Sequence, residues 1–167
     1  MSVTRDIVAT YRGPGRVLAR RLAMGEREDR ALAVAMAGCF IVFVAQWPRL
    51  AREAHLSGEE LNMLLGSTLL AWVFMMPLFL YVMAWIVHLV ARAARGKASA
   101  FGSRLALFWA LLASSPLVLL HGMVSGFIGP SAAQDAVGAL WLGVFAWFWL
   151  GGLMKIHWGQ KGGEASQ

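Results

Sequence analysis

The chain has 167 residues, of which 59% are hydrophobic and 14% charged, with a mean hydropathy of +0.61. Soluble domains carry about 25% charged residues. This composition therefore excludes a soluble enzyme, a disordered regulator and a nucleic-acid-binding domain, and puts the chain in a bilayer. The net charge of +6 comes from 15 Lys and Arg against 9 acids, and its meaning depends on where those charges sit.

Residues 1–30 are mostly polar and too long for the charged n-region of a signal peptide, so the first apolar run is expected to stay in the mature protein. The segment holds Ile7, Val8 and Tyr11, the breaker Gly13-Pro14-Gly15, and then Val17, Leu18 and Leu22 among arginines. Pro14 suits the first turn of a helix. Leu18 and Leu22 are one turn apart, which predicts a short amphipathic helix in the membrane interface with its arginines snorkelling sideways. Arg12, Arg16, Arg20 and Arg21 are then candidate contacts to anionic lipid, at about 1 kcal/mol each. A purely topogenic role for these charges is the alternative. Nucleic acid is not an expected partner, because the arginines lack the aromatic platforms on which bases stack. The mixed run Glu26–Arg30 reads as a solvated turn.

Four apolar runs follow, at about 31–47, 61–91, 105–128 and 136–154. They predict an all-α integral membrane protein: a four-helix transmembrane bundle preceded by a short cytoplasmic interfacial amphipathic helix. The second run is too long for one upright span and reads as a single tilted helix with Pro77 as the place for a kink; a hidden fifth span is the alternative. Pro116 interrupts the third run. The fourth ends at Lys155, His157 and Trp158, leaving residues 159–167 as a flexible cytoplasmic tail.

Basic residues divide thirteen to two between the two sets of loops and ends. The positive-inside rule therefore predicts cytoplasmic N and C termini, and the Arg- and Ala-rich composition suits a bacterial inner membrane. Arg92, Arg95 and Lys97, in the loop after the second run, join the candidate lipid contacts. The loops are too short to hold a catalytic domain.

Within the runs there is no Asp, Glu, Lys or Arg, which argues against ion-coupled transport. Asp135 reads as a favourable charge at a helix N-terminus, and Cys39 as a small packing residue. His88 and His157 fall near one membrane face, and His55 and His121 near the other. Neither pair is expected at the mid-membrane depth of a haem site, and no metal or haem is predicted beyond bound phospholipid. Gly122 and Gly126 form a small-xxx-small pair, and the cluster Phe145–Trp149 wraps aromatics around most of the fourth helix. Gly122, Gly126, Trp141, Trp147 and Trp149 are therefore candidates for helix packing or for a partner interface, internal or between subunits.

Gly96 and Lys97 in a basic loop lead to Ser99-Ala100-Phe101 and then to an apolar helix reaching Ser114-Ser115-Pro116. This pattern resembles the core of the Yip (Ypt/Rab-interacting protein) domain family, particularly its small bacterial members, and Pro14 with Val17, Leu18 and Leu22 looks like the segment before that family's first span. The resemblance gives Gly96, Ser99, Phe101 and Pro116 structural roles and implies a non-enzymatic membrane protein that binds partners or organises membrane. The chain departs from the family in having four runs where five are usual, and in lacking the acidic N-terminal domain of the eukaryotic members.

The expected function is a membrane scaffold or accessory protein. It would bind another membrane protein, or its own copies, and contact anionic lipid through an Arg-rich cytoplasmic surface. A lipid-organising or lipid-moving protein is the alternative, and a small haem- or quinone-binding redox subunit a second one.

Overall fold

A computed structural model describes residues 3–97 and 99–158. The tail expected to be flexible lies outside these residues. The described chain is all-α, with seven helices: α1 Val3–Thr10, α2 Pro14–Ala23, α3 Glu28–Ser57, α4 Leu61–Ala93, α5 Ala100–Ala113, α6 Ser115–Phe127 and α7 Ala132–Trp158. Helices α3, α4 and α7 are each long and apolar enough to cross a membrane, and α5 with α6 is apolar enough as a bent pair, either one broken span or a re-entrant loop. The chain is a multi-pass membrane protein. Leu70, Phe74, Met75, Leu78, Phe79 and Trp85 stand exposed along α4, a surface that only lipid or protein can cover favourably.

The helix ends follow local chemistry. Gly58 closes α3 in the left-handed region, with its N–H on the carbonyl of Ala54, the conformation glycine adopts without a Cβ penalty. Ser99 caps α5 by accepting the Gly102 N–H at 3.2 Å, and Ser131 caps α7 by accepting from Gln134 at 3.3 Å. Asp135 sits in the first turn of α7, where its charge suits the helix dipole.

Two prolines reshape the second and third runs. In α4 the turn Leu70–Met75 is π-helical, immediately before Pro77. Proline has no N–H and its ring collides with the carbonyl four residues back. A widened turn absorbs that conflict, and the run 61–93 stays one helix. In the third run the chain breaks at Ser114 with a bend of 46°, and Pro116 occupies the first turn of α6. Ser114 Oγ donates to the Leu111 carbonyl at 3.1 Å and accepts from Trp141 Nε1 at 3.2 Å, so the break is tied to α7.

The core centres on α5. Every residue from Phe101 to Ala113 is buried except Arg104, which is half-buried. Helices α3, α4 and α7 cover three sides, and α1 with α2 closes the fourth. Val17 and Leu18 are therefore buried in protein, with Leu18 against Gly152. The expected lipid-facing stripe of α2 is in fact its inward face. The Glu26–Arg30 run is likewise not merely solvated: Ser99 Oγ donates to Glu26 at 2.6 Å, and Glu28 pairs with Arg104.

At the opposite end of the bundle, Gly122 and Gly126 face α3. A Cβ at Gly122 would lie 1.8 Å from the Ala45 carbonyl oxygen, and one at Gly126 would lie 2.3 Å from Pro48 Cβ. The pair is thus spent on packing inside the chain. Gly122→Ala should force α3 and α6 apart, at the roughly 1–3 kcal/mol typical of overpacking. Gly66→Ala, with nothing within 4 Å of the new Cβ, should gain up to about 1 kcal/mol of helix propensity. Thermal unfolding in one detergent, with the two variants shifting in opposite directions, is the check.

Candidate functional site

The helical hairpin α1–α2 carries most of the predicted basic residues, and its fold sorts them by side. Asp6, the only acid before Glu26, is 6% exposed and accepts from Arg20 Nη2 at 2.8 Å and Arg21 Nη2 at 2.7 Å. Thr10 Oγ1 donates to the Asp6 carbonyl at 2.7 Å and accepts from Trp109 Nε1 at 3.0 Å. The Arg21 guanidinium lies 3.7 Å from the centroid of a Trp109 ring. A desolvated cation over an indole contributes about 2 kcal/mol, and charge-assisted bonds to a carboxylate are among the stronger hydrogen bonds. The network therefore clamps the hairpin to α5. Tyr11, at the turn, sets its ring edge-on to Phe148 at 4.9 Å, and burial raises its phenol pKa, keeping it neutral.

Arg21 thus belongs to the clamp; the structure turns it away from the surface the sequence reading gave it. The remaining arginines converge outside. Arg5, Arg12, Arg16 and Arg20 line an open hollow of about 590 Å³ whose apolar lining comes from Val8, Ala9 and Val17. Arg16 reaches back to the Arg12 carbonyl at 3.4 Å. Arg5, Arg12 and Arg16 meet no carboxylate among the described residues. Arg5 was missed in sequence because nothing there pairs residue 5 with residue 20; the one signal was Asp6, a lone acid in a basic segment. Arg92, in the last turn of α4, and Arg95 and Lys97, on the α4–α5 loop, are exposed and do not line the hollow.

The same loop covers a second polar cluster. His88 Nδ1 and His157 Nε2 lie 3.3 Å and 3.0 Å from Ser103 Oγ, joining α4, α5 and α7. One hydroxyl can donate to one ring and accept from the other, so Ser103 gives one nitrogen of each histidine a partner. Gly96 presses on the outer edge of His157: a Cβ there would lie 2.4 Å from Nδ1. The Lys97 N–H donates to the His157 carbonyl at 3.3 Å. The same-side pair His88 and His157 is thereby brought together by Ser103, a serine that sequence reasoning passed over.

The other predicted residues serve packing. Ser99 is a cap, Phe101 is core and Pro116 starts α6. Trp141 bonds to Ser114, Trp149 stacks near Phe145, and Trp147 is 52% exposed. No family model matches the chain, and no curated protein or solved structure matches it.

Two variants probe the two clusters. Asp6→Asn leaves Arg21 over Trp109 without its counter-charge and should weaken hairpin docking by about 1–3 kcal/mol, seen as faster tryptic cleavage at Arg20 and Arg21 in detergent. Unchanged cleavage would mean that Val17 and Leu18 hold the hairpin unaided. Gly96→Ala should lift the loop from His157 and accelerate hydrogen exchange at the Lys97 amide, with exchange in α6 unaffected.

Proposed function

We propose that the chain is a non-enzymatic scaffold or accessory protein of a bacterial inner membrane, held on anionic lipid by the arginine hollow of its N-terminal hairpin. The observation that carries this reading is the convergence of Arg5, Arg12, Arg16 and Arg20 on one open hollow with an apolar lining. Uncompensated guanidinia want phosphate, since their planar donors match its oxygens in pairs. The apolar lining beside them suits the glycerol and upper acyl region of a lipid.

The charge distribution supports a cytoplasmic setting for this face. Contacts between Glu26 and Ser99, and between Lys97 and His157, gather the hairpin, the α4–α5 loop and the end of α7 at one end of the bundle. Of the thirteen basic residues of the uneven split, that end holds the twelve that lie among the described residues, and the positive-inside rule turns it to the cytoplasm. The likeness of the Gly96–Pro116 stretch to the Yip family belongs to the same proposal, as does a membrane-protein partner. Exposed Trp147 and the open face of α4 are the surfaces available to it.

Replacing Arg5, Arg12 and Arg16 together by Gln removes three charges of about 1 kcal/mol each at an anionic surface. The triple variant should lose about a hundredfold in affinity for phosphatidylglycerol in nanodiscs, with insertion and thermal unfolding unchanged. Retention of wild-type affinity would sink the lipid-anchoring reading. A mild-detergent pull-down from native membranes tests the accessory role separately: a stoichiometric larger complex supports it, and recovery of the chain with lipid alone favours a lipid-organising protein.

A further inference from the structure

The α4–α5 loop lies on a histidine whose hydrogen-bonding capacity is only half used. His157 is 2% exposed. Its Nε2 meets Ser103 Oγ at 3.0 Å, whereas its Nδ1 is buried without a hydrogen bond. Gly96 covers that nitrogen so closely that a Cβ there would lie 2.4 Å from Nδ1. Two backbone bonds hold the loop in place. The Gly96 N–H donates to the Ala91 carbonyl at 2.8 Å, and the Lys97 N–H to the His157 carbonyl at 3.3 Å. Just before Gly96 the chain passes through Arg95 at φ 62°, a left-handed conformation that is costly for any residue with a Cβ. The closed loop is thus lightly held and carries a strained residue.

We infer that His157 and the α4–α5 loop form a proton-operated latch, closed over the neutral ring and opened when the ring is protonated. A neutral imidazole has one N–H and one lone pair, and the Ser103 hydroxyl serves either of them at Nε2. A protonated imidazole has an N–H on both nitrogens, and the one at Nδ1 lies against Gly96 with no acceptor. A buried charge without a partner is costly. No carboxylate offsets it. His88 faces the ring from α4, with the two centroids 6.3 Å apart. Arg92 in the last turn of α4, Arg95 and Lys97 on the loop, and Lys155 on α7 are all basic. The one charge of α5, Arg104, is paired with Glu28, and Glu26 accepts from Ser99. The hairpin meets this part of α7 at Gly15, against the Lys155 side chain, and its Asp6 is taken by Arg20 and Arg21. Lifting the loop gives Nδ1 access to water, so the open form accommodates the proton and the closed form excludes it. By linkage, acid then favours the open form. An uncovered histidine titrates at about 6.5. The loop therefore stays shut well above that pH and opens as the pH falls below it, releasing Arg95 and Lys97 from the end of the bundle.

The test is hydrogen exchange at the Gly96 and Lys97 amides of the full chain in phosphatidylcholine nanodiscs, between about pH 8 and about pH 5. Each rate is divided by that of an unstructured chain at the same pH, which gives a protection factor. In the wild-type chain protection should be constant above about pH 7 and fall by up to about tenfold per pH unit below about pH 6, the slope of a single proton. His157→Gln keeps a polar side chain beside Ser103 but cannot take up the proton, and its protection should not vary with pH. Gly96→Ala holds the loop open and should show low protection at every pH, which serves where His157→Gln does not fold. His88→Gln should keep the wild-type slope. Amides of α6, toward the other end of the bundle, should stay protected throughout, which separates loop opening from general unfolding. Protection that does not change with pH in the wild-type chain would overturn the latch. So would a slope that survives in His157→Gln or in Gly96→Ala. Loss of the slope in His88→Gln, with the slope intact in His157→Gln, would make His88 the sensor and overturn the assignment to His157.

Discussion

Beyond Arg104, helix α5 is apolar on every side, and an all-apolar helix has to be enclosed. Three long helices cover part of its surface, and the fourth side is left to a hairpin of two short helices that the rest of the bundle does not need for spanning. Residues of α5 itself provide the attachment: Trp109 offers its indole N–H to Thr10 and its ring face to Arg21. Desolvating a guanidinium there is costly unless it is paired, and Asp6 supplies the pair. Once the hairpin is docked this way, Val17 and Leu18 must face α5 and α7. The remaining arginines can then only point outward. The requirement to bury α5 thus decides which basic residues are structural and which are free to meet a ligand.

Close approaches at the two ends of the bundle keep this arrangement rigid by different means. At the end opposite the hairpin, Gly122 and Gly126 let α6 touch the backbone of α3, dispersion contact that no side chain could improve. At the hairpin end the contacts are polar: Ser103 bridges His88 and His157, Glu28 pairs with Arg104, and Ser99 bonds to Glu26. The hairpin end is thus held by polar ties, and the opposite end by close glycine contacts, where packing between helices draws on van der Waals contact more than on water exclusion.

Composition and charge made the membrane setting, the spans and the basic end legible in the sequence, because hydropathy and loop charge act locally. The proline effects were legible as places but not as outcomes. Pro77 and Pro116 both mark a break, yet one is absorbed by a π-helical turn and the other becomes a 46° bend; the difference lies in neighbouring helices, with Trp141 reaching Ser114 only at the second. The spacing of Leu18 and Leu22 was read correctly as an apolar stripe and assigned to lipid, since a stripe does not state what lies against it. Asp6, Thr10 and Ser103 gave no pattern at all. Their roles come from residues 14 to 99 positions away, and single-sequence reasoning has no access to such pairings.

Arg20 joins the two halves of the hairpin's work, since it donates to Asp6 and also lines the hollow. On the proposed reading, an anionic headgroup and Asp6 draw on the same guanidinium, while Arg21 belongs to Asp6 and Trp109 alone. Its planar fork has enough donors to serve carboxylate and phosphate at once, so the headgroup does not have to displace the clamp. The site exists only when α1 and α2 are docked side by side, because its arginines come from both helices. A ligand that binds the docked form and not the open one stabilises docking by RT ln(1 + c/Kd), where c is its free concentration, so docking tightens as c rises above Kd. Lipid recognition and closure of the core over α5 are then one equilibrium, and the membrane's own phosphates help hold the bundle shut.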